Sequence, residues 1–423
     1  MPAEPSERHV AASGPATDRA LQLVKDWFWR PPRPHGETIV DRRVSPLELL
    51  YDLAYAAVIA QAGNHLAAHL SANGLFEFAA VFSLTWIAWA NGSVYLELHG
   101  RPDGRTRTYF FLQIGILAIF AVYASDAAGG GGGFAIAYTA FLVVMTWLWY
   151  EVRLEDARVH PEFLTDTGRY VVAMAASVVA ILVTAFLPAE PRLVVWAIFS
   201  VAWVVLLSLF GRSRIGLGRG MTPTDSLAER FATLTIIVLG EVVFGVVDGL
   251  SQSKRDVTTI STGMIALTVG FGFWWIYFDV VGGKLPKPDG RALANWMLSH
   301  YPITLSIAAA GAGMVSLIEH AHEDMTPEPT SWLLSGAVAV GLVFLIPTWR
   351  ALADSSRLAS VYRPLWIATA AGAVASVIIG WIRPAPWLLA LLLVVVLALV
   401  WAVVVRGFAL AGTWGPDRSE VQR

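Results

Sequence analysis

From Pro46 onward the chain alternates between apolar runs of about 20 residues and short polar loops. That length is what a hydrocarbon core of about 30 Å demands of a helix. The runs lie near 47–70, 75–98, 107–124, 134–152, 169–187, 191–210, 227–249, 257–280, 297–318, 331–349, 364–382 and 386–405. The pattern predicts an all-α integral membrane protein with about twelve transmembrane helices. Its expected parts are a mostly disordered cytoplasmic N-terminal tail (1–43), a first six-helix half (44–210), a cytoplasmic linker (211–226), a second six-helix half (227–405) and a cytoplasmic C-terminal tail (406–423). Within the first tail, LQLVKDWFWR (21–30) reads either as a short interfacial helix or as a loosely packed segment. RPPRPHG (30–36) cannot continue a helix. The five glycines of DAAGGGGGF (126–134) have neither a strand before them nor a Lys-Ser/Thr after them. They read as a flexible extracytoplasmic link, not a phosphate loop.

The basic residues orient the spans. Arg42 and Arg43, Arg101, Arg105 and Arg107, Arg153, Arg158 and Arg169, Arg212, Arg214 and Arg219, Lys284, Lys287 and Arg291, and Arg350, Arg357 and Arg363 fall in alternate loops. The opposite loops hold only Arg192, Lys254, Arg255 and Arg383. The positive-inside rule then predicts a multi-pass protein of the cell membrane with both termini cytoplasmic. Termini on one side require an even number of spans, and twelve is even.

Composition agrees. The 423 residues are 56% hydrophobic and 15% charged, against about 45–50% and about 25% in soluble domains. Mean hydropathy is +0.58, and the 18 tryptophans suit membrane interfaces. Without cysteine there are no disulfides, thiolate metal sites or cysteine nucleophiles. A net charge of −2 gives no support to nucleic-acid binding.

The two halves resemble one another. At a shift of 180 residues, LELLYDLAYAAVIAQ (47–61) lies over LAERFATLTIIVLGE (227–241), matching Leu47 with Leu227, Tyr51 with Phe231 and Gln61 with Glu241. At a shift of 182, VYLE (94–97) meets IYFD (276–279), matching Tyr95 with Tyr277 and Glu97 with Asp279. Six spans separate the copies, so both enter from the same side. This predicts a parallel repeat, an arrangement that places substrate sites between halves in secondary transporters.

SPLELLYDLAYAAVIAQ (45–61) resembles the opening signature of the bacterial low temperature requirement A family, Glu-Leu-Phe-Phe/Tyr-Asp-Leu-Val-Phe. ERFATLTIIVLGEVVFGVV (229–247) is similar to that family's second hallmark, Glu-Arg-x-x-x-x-Thr-Ile-Ile-x-Leu-Gly-Glu. The resemblance covers roughly residues 44–405 and marks Glu48, Asp52, Glu229, Arg230, Gly240 and Glu241. It implies a multi-pass membrane protein linked by name to growth in the cold, and no defined biochemical activity. Val242 stands where a serine is expected after Gly-Glu.

Ionisable groups in a bilayer cost roughly 2.5–3.5 kcal/mol each on insertion scales, so they face protein and pair. Glu48 and Asp52 are four apart and stack on one side of span one. Gln61, nine residues past Asp52, lies about 180° around with His65. Span one must therefore be enclosed by protein. In span seven, Arg230, Glu241 and Asp248 share a stripe, with Arg230 and Glu241 about 16 Å apart. The candidate partners of Arg230 are Glu48, Asp52, Glu97 and Asp279; the repeat places Glu241 near Gln61. Two readings follow. Either these groups, Glu229 and Arg230 among them, are interhelical clamps, or Glu241 is a carboxylate that exchanges a proton or cation, with Asp52 next in line.

Aromatics gather at Trp86, Trp89 and Tyr95 in span two and at Trp274, Trp275 and Tyr277 in span eight, and Trp86, Trp89, Ser93 and Glu97 share a stripe. It either lines a pathway and grips a cation or packs and anchors helices. On the outer side, His65 and His69 and the EHAHED run, with Glu319, His320, His322, Glu323 and Asp324, offer a metal or pH-sensing set, or are solvated span ends. His300 falls on the cytoplasmic side, and Pro302 marks a helix start or kink.

The leading expectation is a proton- or ion-linked transporter of a small solute, with Glu241, Gln61, Asp52, Glu48, Trp89, Glu97 and Asp279 along its path. The alternatives are a non-transporting stress or structural protein of the membrane and, with less support, a membrane-embedded enzyme. No His-Glu-x-x-His, Gly-x-Ser-x-Gly or phosphate loop is present. No cofactor is expected. The expected partners are the lipid bilayer and a small solute or ion, protons included, with self-association left open.

Overall fold

The computed structural model describes residues 16–37, 42–127, 129, 132–212 and 223–412. Parts of both expected tails, of the glycine link and of the 211–226 linker, with Arg214 and Arg219, lie outside the described residues. The described residues form thirteen α-helices and no strand. They are α1 (Ala16–Phe28), α2 (Pro46–Ala68), α3 (Ala72–His99), α4 (Gly104–Ala124), α5 (Gly133–Val159), α6 (Leu164–Thr184), α7 (Ala189–Arg212), α8 (Asp225–Gln252), α9 (Val257–Val280), α10 (Gly290–Glu319), α11 (Glu328–Ala351), α12 (Ala359–Ile382) and α13 (Pro386–Leu410). Ten of them, α4 to α13, are long and apolar enough to cross a membrane. The protein is a multi-pass helical membrane protein. Helices α2 and α3, of 23 and 28 residues, have the length but not the apolarity. Their polar residues, Glu48, Asp52, Gln61, Asn64 and His65 in α2 and Glu77, Asn91, Ser93 and Glu97 in α3, are the reason.

Polar caps set where the helices begin. Ser45 and Glu48 form a reciprocal capping box at α2, with Pro46 in the first turn. Asp103, Thr224, Asp256 and Asp289 accept from backbone N–H groups at the starts of α4, α8, α9 and α10. The tetrapeptide Pro-Asp-Gly-Arg occurs at both 102–105 and 288–291, so α4 and α10 start with the same cap. Pro302, expected to start or kink a helix, does not start one: it lies inside α10, because Asp289 caps that helix well before it.

Short connections reverse the chain at alternate ends. One end, here the basic end, joins Arg33 and Arg42 to the end of α3, and Arg42 also to the start of α8. The other joins Asp256 to His322 and Thr326 to Pro384. The N-terminal segment departs from the expected disorder. Residues 16–28 are helical, and Arg33 and His35 are buried. Arg33 donates to the carbonyls of Leu96, Glu97 and Gly100, capping the last turn of α3. His35 is held by Asp156, to which Thr167 also donates.

Helix α2 packs on α3 and α4, α4 on α5, α5 on α6, and α3 on α7. The same neighbours recur six helices later: α8 packs on α9 and α10, α10 on α11, α11 on α12, and α9 on α13. Helix α10 sits at the centre, against α2, α3, α7, α8, α9 and α11, with 89% of its apolar window buried. Its small residues let backbones approach. A Cβ at Gly245 of α8 would stand 2.0 Å from the Gly311 carbonyl oxygen of α10.

Candidate functional site

Helix α8 carries two polar centres. At the basic end, Arg230 is fully buried, and its guanidinium lies 2.6 Å from Asp52 and 3.5 Å from Glu48. Arg42 bridges Glu48 at 2.8 Å and Glu97 at 2.6 Å. Thr224 caps α8 through its Oγ1 while donating to Glu97 at 2.7 Å, and Ser226 also donates to Glu97. The Trp89 indole N–H donates to Asp52 at 2.8 Å. Two guanidiniums thus bridge three carboxylates from α2 and α3, and α2, α3, α8 and the N-terminal segment are joined. The spacing of Glu48 and Asp52 puts both acids on the face of α2 that meets α8.

The second centre lies eleven residues on, about 16 Å along the same helix. Glu241 is 8% exposed and has no ion pair or hydrogen bond through its carboxylate among the described residues. It lines a cavity of about 330 Å³ between α2, α8 and α10. A Cβ at Gly63 of α2 would stand 3.9 Å from its Oε2, and one at Gly311 would meet its backbone oxygen at 2.6 Å. Gly311 thus lets the α10 backbone close on the main chain of Glu241, while Gly63 leaves the carboxylate in no more than ordinary contact with α2. Asn64, Asp248 and Ser251 line the part of the cavity nearer the end opposite the basic one. Exposed Phe244 and Val247 form its lateral lip. With Glu241 and Asp248 and no basic residue in its wall, the cavity suits a proton or a cation.

The other sequence candidates fall elsewhere. Gln61 is exposed, and Gly63 and Asn64 take the place beside Glu241 that the repeat had reserved for it. Asp279 accepts from the Trp401 indole at 2.7 Å, away from Arg230. Glu229 is exposed and ion-pairs with no described residue, because the neighbouring residue of a helix points about 100° away. His65 pairs with Glu77 at 3.0 Å and stacks on His69. His322 pairs with Asp256 at 2.8 Å, and His320 lies 3.9 Å from Glu323. These are separate outer pairs, Glu319 joins neither, and no three metal-ligating groups converge among the described residues. The Thr259 backbone N–H, with His322 adding to it, holds the Asp256 carboxyl below the usual carboxylate range. His300 is buried and bonded to Tyr277 at 3.0 Å. Trp86 packs edge-on against Tyr301 and close to Trp89, while Trp274 and Trp275 are exposed on α9.

Sequence reasoning passed over Arg42 as a loop cation and overlooked Gly63, Gly245 and Gly311. The Gly-x-x-x-Gly spacing of Gly245 and Gly249 was the available signal for close helix contact.

The family model for the bacterial low temperature requirement A protein (LtrA) matches residues 43–402. The comparison with curated proteins found no match, and neither did the comparison with solved structures.

Proposed function

The chain belongs to the bacterial low temperature requirement A family, and on that footing we propose a proton- or ion-linked transporter of a small solute. In this reading α2 and α3 also span the membrane, giving twelve spans in two parallel six-helix halves with both termini cytoplasmic. The recurring neighbour pattern supports the repeat, as does the doubled Pro-Asp-Gly-Arg cap. Burial supports it too: at the 180-residue shift, buried Tyr51, Tyr55, Val58, Ile59, Ala62 and Leu66 fall on buried Phe231, Thr235, Val238, Leu239, Val242 and Val246.

One observation carries the function. Glu241 is buried in a span, faces a cavity and has no counter-charge among the described residues. A carboxylate kept there at a cost of roughly 2.5–3.5 kcal/mol has a use other than clamping. Its use is to take a proton or cation from the outer side, while the Arg42, Arg230, Glu48, Asp52 and Glu97 cluster keeps the cytoplasmic side closed. Release inward requires that cluster to part, which is alternating access between two halves.

The test is proton flux into sealed liposomes under an imposed pH gradient, with varied solutes, for the native chain and Glu241→Gln. Solute-dependent flux in the native chain and its loss in a folded variant are expected. Native-like flux in the variant removes Glu241 from the mechanism. The ion pairing of the basic-end cluster, in which each of three carboxylates meets a guanidinium, favours a second reading, a non-transporting structural protein of the membrane, for which neither protein passes protons with any solute.

A further inference from the structure

Beside the basic-end cluster, on its bilayer side, lies a larger cavity of about 850 Å³. Arg43, Arg101 and Arg107 line it, and Leu47, Phe111 and Thr108 complete the wall used here. Arg42 and Glu48 also reach it, but they are committed to each other at 2.8 Å. Arg101 is held by Glu37 and the Pro31 carbonyl. Arg43 and Arg107 pair with no acid among the described residues, and Arg107 lies 5.5 Å over the Trp27 ring. Among the described residues, two guanidiniums without an acid partner thus face a cavity whose one lining acid is paired with Arg42.

The outer wall belongs to the lipid. Phe111 is 70% exposed on α4, a membrane span, and Leu112 beside it is also exposed. On the neighbouring α2, Leu49, Leu50 and Leu53 are exposed as well. Helix α1 borders the cavity through Trp27, which lies under Arg107. Trp27 packs where a Cβ on Gly104 would meet it, while Leu21, Leu23, Val24 and Trp29 stay exposed. A short helix with one apolar face and basic residues Arg19 and Lys25 lies in the membrane interface.

We infer that this cavity binds an anionic phospholipid of the leaflet at the basic end, with Arg43 and Arg107 holding the headgroup phosphate and the acyl chains running along Phe111 and α4. Arginine suits the phosphate because its planar fork donates to two oxygens at once. The aliphatic and aromatic wall distinguishes a lipid from a soluble phosphate, which has nothing to place there.

The experiment is native mass spectrometry of the full chain in detergent, titrated with phosphatidylglycerol and with phosphatidylcholine. The native chain retains phosphatidylglycerol in preference, and Arg43→Gln/Arg107→Gln loses that preference by about 30-fold. A control, Arg158→Gln/Arg169→Gln, removes two exposed charges remote from the cavity and keeps the preference. Thr108→Glu, which sets a repelling carboxylate in the wall and removes no arginine, repeats the loss should the double variant fail to elute as one folded species. Equal retention of the two lipids by the native chain overturns the assignment, as does a preference surviving in the cavity variants or lost equally in the control. Competition by glycerol phosphate at the same concentration as the lipid reassigns the cavity to a soluble anion and also overturns it.

Discussion

Replacing Gly245 with alanine tests the contact between α8 and α10 on which the Glu241 cavity depends. The new Cβ would lie 2.0 Å from the Gly311 carbonyl oxygen and 2.9 Å from its carbon, where ordinary contact begins at 3.4 Å. Both atoms are backbone, so no side chain can swing aside, and the helices must part by about 1.4 Å at that point. Helix α10 cannot retreat freely, because α7 and α11 pack on it. Overpacking of this kind costs about 1–3 kcal/mol. Gly240 on the same helix is the internal control, since a Cβ there meets nothing within 4 Å. Alanine at 240 gains up to about 1 kcal/mol of helix propensity. The same propensity gain applies at 245 and cancels, so the two variants should differ by the overpacking alone, about 1–3 kcal/mol, in reversible unfolding by denaturing detergent, followed by circular dichroism. Gly245→Ala should be the less stable. Equal stability of the two would falsify the close backbone contact and, with it, the claim that small residues let these backbones approach.

Glu241→Gln should leave unfolding stability unchanged or slightly raised, since the carboxylate has no described partner to lose; a loss above about 2 kcal/mol would mean that it clamps after all. Arg230→Met should cost about 3–5 kcal/mol by leaving Asp52 buried without its charge partner, Glu48 keeping Arg42, and adding Asp52→Asn should recover part of that in the same unfolding measurement. Strictly additive effects would contradict the pairing. Arg33→Ala should release the N-terminal segment from the three carbonyls at the end of α3, read as faster limited proteolysis within residues 29–41 and no change elsewhere; an unchanged cleavage rate counts against the cap. Asp256 gives a pH test. Its folded carboxyl binds a proton less readily than the unfolded chain's, so its cap on α9 is fully present above the ordinary value near 4 and is lost as pH falls through the lower folded value. Protection of the Thr259 amide, corrected for intrinsic exchange, should fall in that acid window and lose its pH dependence in Asp256→Asn.

The spans were legible because lipid leaves the backbone one solution per apolar run, and run length fixes the count to within marginal helices. Helices α2 and α3 are those margins: their polar residues pull them below span-like apolarity although both match the expected lengths. The acid pair at Glu48 and Asp52 was legible as a stripe, since spacing of four puts both on one face. Which cation met the stripe was not fully legible, because Arg42 belongs to a segment whose composition reads as disordered. Its order comes from tertiary bonds that periodicity does not encode. The depth of Glu241 followed from helical rise, but its surroundings did not. A shift of 180 residues aligns Gln61 with Glu241 in sequence, yet the side chains flanking the cavity are Gly63 and Asn64. Glycine contributes no hydropathy signal, so a close backbone approach allowed by missing side chains is invisible to any scan of the side chains present.

The pairing of Arg230 with Asp52 sets an order of events during synthesis. Helix α2 leaves the ribosome long before α8, and it carries Asp52, which meets a cation among the described residues only at Arg230 of α8. Neither α2 nor α3 is apolar enough to be held by lipid on hydropathy alone. In the twelve-span reading proposed above, their stable residence in the bilayer waits for the arginine of α8 and the central surface of α10. A chain interrupted before α8 would present an exposed membrane-embedded carboxylate, a mark by which quality-control proteases recognise unfinished membrane proteins. Biogenesis of this protein is in that sense decided in its second half, and truncation there should be cleared from the membrane more completely than truncation after α11.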